Sequence, residues 1–168
     1  MKKTRTPTEL AVGAATRKTG VLFLVIGLVV GAVMLLLTPD FLALHLAMLA
    51  ALGVSAGLAT GRAVLSIDRA EARSAGGAGG AYSGLGYGLP FIGYYFYRFV
   101  TFNDAEFARR ANQLSPKEMQ AIQQAGFVIG PAYFQQQEVS FIFFFLIIGC
   151  LIGWVFGMAG GLLAKSRV

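Results

Sequence analysis

The sequence predicts an all-α integral membrane protein: a bundle of four transmembrane helices, with three as the alternative, and short amphipathic helices in the loop before the last crossing. Three observations lead there. Of 168 residues, 56% are hydrophobic and only 13% charged, against about 25% charged in a soluble domain. The charges are segregated: between Lys18 and Arg62 only Asp40 is charged, and between Glu138 and Lys165 there is none. Glycines recur at every fourth position inside the apolar runs, in the sets Gly27 and Gly31; Gly53, Gly57 and Gly61; and Gly149, Gly153, Gly157 and Gly161. Uncharged apolar runs of 18 or more residues suit a hydrocarbon core about 30 Å thick. Lipid offers the backbone no hydrogen-bond partner, so such runs must be helical. The residue-by-residue alternation of a membrane barrel is absent.

The first span is predicted over residues 19–37. Its apolar stretch from Gly20 to Leu37 is longer than the core of a secretory signal, and no small-residue cleavage site follows it, so a retained span is expected. "TPD" then starts the second span, 41–61: Thr38 as cap, Pro39 in the first position and Asp40 at the positive end of the helix dipole. The helical pattern is expected to continue past Arg62 through "RAVLSIDRAEARS".

The stretch "SAGGAGGAYSGLGYGLPFIGYYFYRFV" resembles a flexible tether in composition. It carries no charge between Arg73 and Arg98, however, and Gly76, Gly80, Gly84 and Gly88 fall four apart. In a helix these glycines lie one above another on one face, and small residues at that spacing let membrane helices approach closely. A third span is therefore expected over 78–101, with Pro90 kinking it and Tyr94, Tyr95, Tyr97 and Phe99 as its aromatic belt. Arg98 is expected to extend to the headgroups, and as the charge nearest membrane depth it is a candidate functional residue.

The polar loop 103–138 is expected to hold helices at 104–113 and 116–125. Asn103 caps the first, and Phe107, Ala108, Ala111 and Leu114 give it an apolar face. In the second, Ser115 and Glu118 form a capping box, Pro116 sits in the first position, Leu114 and Met119 form a staple, and Gly126 closes the C-terminus. Pro131 opens the last helix, with "QQQE" as its exposed start and 139–163 as the fourth span.

Little in this chain can do chemistry. It has one His, one Cys and no Walker sequence, and its carboxylates lie in loops or near helix ends, so no enzyme and no resident cofactor or metal is expected. Cys150, alone in an apolar run, reads as a small packing residue. His45 is the one candidate cofactor ligand, for a haem, a chlorin or a quinone. The net charge of +6 sits beside the apolar runs, which fits orientation by positive residues and contact with the bilayer rather than nucleic acid. Four spans place ten Lys and Arg on the side of the termini and four on the other.

The "GxxxGxxxG" spans, with "FNDAEF" and "LSPKEMQAIQQAG" before the last one, resemble glycine-rich, small, four-span bacterial membrane proteins of unknown function. The resemblance covers roughly residues 75 to 164. It implies four spans in a bacterial plasma membrane with both termini cytoplasmic, and it implies no activity. The functional expectation is a non-catalytic scaffold or accessory subunit, a homo-oligomer or part of a larger membrane complex, associating through the glycine-lined faces. The packing residues are Gly27, Gly31, Gly53, Gly57, Gly61, Gly80, Gly84, Gly88, Gly149, Gly153, Gly157 and Gly161. The alternatives are a small-solute or ion conductor using Arg98, and a pigment- or haem-carrying redox subunit using His45.

Overall fold

A computed structural model describes residues 6–37 and 42–165. The predicted start of the second span, Thr38 to Phe41, lies outside the described residues. Among those described there are six helices and no strand: α1 (Pro7–Leu37), α2 (Leu42–Leu65), α3 (Ala72–Val100), α4 (Asp104–Gln113), α5 (Pro116–Gln124) and α6 (Pro131–Lys165). They fall into two compact units, one comprising residues up to Phe91 together with those from Phe145 onward, the other Ile92–Phe144.

The first unit contains α1, α2, most of α3 and the latter part of α6. α1 starts at Pro7, so the helix extends well before the span predicted over 19–37. Thr6 and Glu9 explain the early start: the Thr6 N–H donates to Glu9 Oε2 at 2.7 Å and the Glu9 N–H to Thr6 Oγ1 at 3.3 Å, a reciprocal cap. α2 ends at Leu65, where the reading of continued helix fails. The chain turns there, and Asp68 Oδ1 accepts from the Ala70 N–H at 2.8 Å. This is the local bond by which Asp competes with helix.

α1, α2 and α6 are long and apolar enough to cross a membrane. Only 22%, 28% and 17% of their most apolar windows are buried, so most of that apolar surface faces outward. On α1 the buried residues are Gly20, Gly27, Gly31 and Met34, while Val21, Leu22, Val25, Val29 and Leu36 are exposed. Small inside and large apolar outside is the pattern lipid permits, because burial against another helix gains nothing over burial in acyl chains. Three hydroxyls in these helices donate to their own helix, Thr19 to Ala15 O at 3.0 Å, Ser55 to Ala51 O at 2.8 Å and Ser140 to Gln136 O at 2.8 Å, whereas Thr60 Oγ1 of α2 is buried without a partner. Among the described residues there are thus three candidate crossings by length and composition, where the sequence predicted four with three as the alternative.

α3 has the length, but its glycines, tyrosines and Ser83 lower its mean hydropathy, and it is not among the three. It is nonetheless the most enclosed helix of the first unit. From Ala75 to Phe91 most of its residues are buried, including Gly76, Gly80, Ser83, Gly84, Gly86, Tyr87 and Gly88. It lies against α1 through Gly27 and Gly86, against α2 through Gly79, and against α6 through Gly76, Gly80 and Gly84. Pro90 lies inside it, and the helix continues to Val100.

The second unit holds the end of α3, α4, α5 and the start of α6. Its caps follow the sequence closely. Asn103 Oδ1 accepts from the Glu106 N–H at 3.0 Å. Ser115 and Glu118 form the reciprocal box, with the Ser115 N–H 2.8 Å from Glu118 Oε2. Past α5, Gly126 has φ of 84°, in the left-handed region that a side chain disfavours. The Phe127 N–H reaches back to Ile122 O at 3.2 Å and the Gly126 N–H to Gln123 O at 2.9 Å, which closes the helix.

The apolar face of α4 departs from expectation. Phe107, Ala111 and Leu114 are half-buried, but Ala108 is exposed and Arg110 is buried instead. Positions 107, 110, 111 and 114 form one helical face, and Arg110 occupies it because it has a buried carboxylate to meet.

Candidate functional site

The packing glycines come first, since they set how closely the helices approach. At each of the twelve predicted positions, an added Cβ would lie 3.0 Å or less from the backbone of another helix. Gly80, Gly84 and Gly88 of α3 lie against Gly153, Gly149 and Phe145 of α6, running in opposite directions. Gly53, Gly57 and Gly61 of α2 meet Gly153, Gly157 and Gly161 of α6 in the same order, and Gly27 and Gly31 of α1 meet the backbone of Ser83 and Tyr87. These ladders are therefore occupied within one chain. In contrast, Gly93 has nothing within 4 Å of its would-be Cβ.

That approach encloses His45. In the first turn of α2 it is 2% exposed, and its Nδ1 is 2.5 Å from the Tyr87 hydroxyl. Phe91, one turn along α3 from Tyr87, presents its ring edge-to-face to the imidazole with centroids 4.9 Å apart, and Phe145 of α6 stands 6.3 Å away. Phe91 and Phe145 stack on each other at 4.3 Å and 11°. Tyr87 and Phe91 are fully buried. A macrocycle could reach His45 only by displacing these rings. The arrangement is that of a core histidine holding α2 to α3, with aromatic edges supplying its packing.

The second unit contains a chain of charges. Glu138 lies in the second turn of α6 and is 2% exposed. Its Oε1 accepts from Arg110 Nη1 at 2.5 Å and pairs with Arg98 Nη2 at 3.2 Å. Arg98 Nη1 also donates to the Tyr94 hydroxyl at 3.2 Å, and its guanidinium stands 5.3 Å from the Tyr94 ring centre. Arg110 Nε donates to Glu106 Oε1 at 2.7 Å. Arg109 grips Glu106 with two bonds, Nε to Oε2 at 2.9 Å and Nη2 to Oε1 at 2.7 Å. The guanidinium of Arg110 lies 5.3 Å from the Phe102 ring centre and 5.9 Å from that of Phe134.

The electrostatics follow from these contacts. Hydrogen bonds from Arg109 and Arg110 lower the Glu106 carboxyl from 4.5 to about 2. Burial of Arg110 disfavours its charge, but Glu106 and Glu138 outweigh that and raise its pKa. Arg109, fully exposed, is raised by Glu106. Two polar atoms of the network stay buried without a partner, Arg110 Nη2 and Glu138 Oε2.

Arg98, 29% exposed, pairs with a buried carboxylate, and Glu138 is buried where an exposed helix start was expected. Tyr95, expected in an outward belt, is 9% exposed and stacks on Phe141 at 4.7 Å. Glu138 was missed although a signal existed. It lies eleven residues, about three turns, before Gly149, so the glycine face of α6 extends back through Phe145 to Glu138 and Phe134. Among the described residues, no three His, Cys, Asp or Glu side chains converge on a metal position. Cys150 is free and half-buried.

Comparison with known proteins finds no matching family model, no matching curated sequence and no matching solved structure.

Proposed function

We propose that this chain is a four-span, non-catalytic scaffold or accessory subunit of a bacterial plasma membrane, with both termini cytoplasmic and residues 103–138 on the opposite side. The observation that carries the reading is the position of α3. Over Gly76–Phe91 it packs side by side with α1, α2 and α6, the three helices apolar enough to cross. A helix enclosed by three crossing neighbours crosses with them. Its 29 residues are about 43 Å long at 1.5 Å per residue, more than the hydrocarbon core requires. Its low hydropathy is no obstacle, because its glycines face protein rather than lipid. Ser83 donates to Gly80 O at 2.7 Å and the Tyr87 hydroxyl lies 2.5 Å from His45 Nδ1, so the buried hydroxyls of both residues have partners.

Contact of backbone with backbone along the bundle axis argues against conduction through one chain. The rings around His45 argue against a bound macrocycle. Because the glycine ladders are occupied internally, association with a second copy or a larger complex rests on the exposed apolar faces of α1 and α6.

Paired reporters inserted at Asn112 test the crossing number. Four crossings make a periplasm-dependent phosphatase active there and a cytoplasm-dependent fluorophore dark. The reverse pattern leaves three crossings and removes this reading.

A further inference from the structure

Beside the charge chain of the second unit lies an open groove of about 590 Å³. Its charged lining is Arg98, Arg109 and Arg110 against a single carboxylate, Glu106, and Tyr94 and Tyr97 bring two hydroxyls. Glu138, outside that lining, pairs with Arg98 and Arg110, so three guanidinium groups meet two carboxylates; the surplus cation and its free donors mark an anion site, since guanidinium and phenol groups hold phosphate oxygens through short, charge-assisted bonds. Donors remain for such a ligand. Arg109 commits Nε and Nη2 to Glu106 and is 61% exposed, which leaves Nη1. Arg110 is 9% exposed, and its Nη2 is buried with no partner, a deficit that a bound oxyanion or bridging water would relieve.

The surroundings indicate which phosphate. The same end of α3 exposes Phe96, Tyr97, Phe99 and Val100. Exposed aromatics beside cations are the chemistry of the membrane–water interface. We propose that this groove binds the phosphate of an anionic membrane lipid, its acyl chains lying along that aromatic end of α3. The inference rests on the membrane reading above and adds a ligand class to it.

Native mass spectrometry of the full chain in detergent, offered equal amounts of phosphatidylglycerol and phosphatidylcholine, tests it. The wild type should retain the anionic lipid about fivefold over the zwitterionic one, the worth of roughly one cation facing an anionic headgroup. Arg109→Gln, whose side chain bonds only Glu106, should abolish that preference without loss of folded protein, and Arg98→Lys should preserve most of it. Equal retention of both lipids by the wild type, or an unchanged preference in Arg109→Gln, overturns the proposal. Displacement of the lipid by millimolar inorganic phosphate overturns the lipid assignment and makes free phosphate the ligand. The measurement is made in detergent, so its outcome is independent of the number of crossings.

Discussion

Arg98 and Glu138 meet at 3.2 Å, and the carboxylate between Arg98 and Arg110 is 2% exposed. Two cations on one buried oxygen make Glu138 the keystone of the second unit. Removing one partner of a buried pair leaves uncompensated charge and costs about 3–5 kcal/mol. Glu138→Gln should destabilise the protein by that amount in denaturant titrations monitored by circular dichroism. Arg98→Gln should cost less, because Arg98 is 29% exposed and Arg110 remains on Glu138.

Glu106 sets the response to acid. Its folded pKa of about 2 lies below its ordinary 4.5, so the folded state binds fewer protons than the unfolded one. The stability this contributes is fully present above pH 4.5 and is lost as pH falls toward about 2. An acid titration of thermal stability should therefore fall across that window. Glu106→Gln should flatten this limb while leaving the neutral plateau lower than in the wild type.

The Tyr87 hydroxyl lies 2.5 Å from His45 Nδ1. Tyr87→Phe keeps the ring stacking and removes that bond, which should cost about 0.5–1.5 kcal/mol, the net worth of a typical hydrogen bond. Purified protein should show no visible absorption band, and His45→Ala should alter stability without altering the spectrum. A Soret or chlorin band lost in His45→Ala would identify a ligand-binding histidine instead.

What the sequence made legible was local. Ser115, Glu118 and Gly126 predicted α5 to within a residue at its C-terminus because caps depend on neighbours a few positions away. The four-residue spacing of glycines pointed to the face of α3 that meets α6. What stayed hidden depended on residues far apart in the chain. "QQQE" reads as a wet helix start unless Arg98 and Arg110 are known to arrive at Glu138. Hydropathy averages undervalue α3 because they score glycine and tyrosine as though solvent or lipid, not another helix, surrounded them. The early start of α1 lies in the Thr6 and Glu9 pair, a local cap outside the apolar run that marks the span.

The central claim is that α3 is packed backbone to backbone among its neighbours. Comparing Gly84→Ala with Gly93→Ala on the same helix tests it most directly. At Gly84 an added methyl meets the Gly149 backbone, while at Gly93 it meets nothing within 4 Å. Gly84→Ala should therefore lose about 1–3 kcal/mol by overpacking, measured by unfolding in detergent. Gly93→Ala should be neutral or gain up to about 1 kcal/mol from helix propensity. Equal effects at the two positions, or a gain at Gly84, would contradict the account.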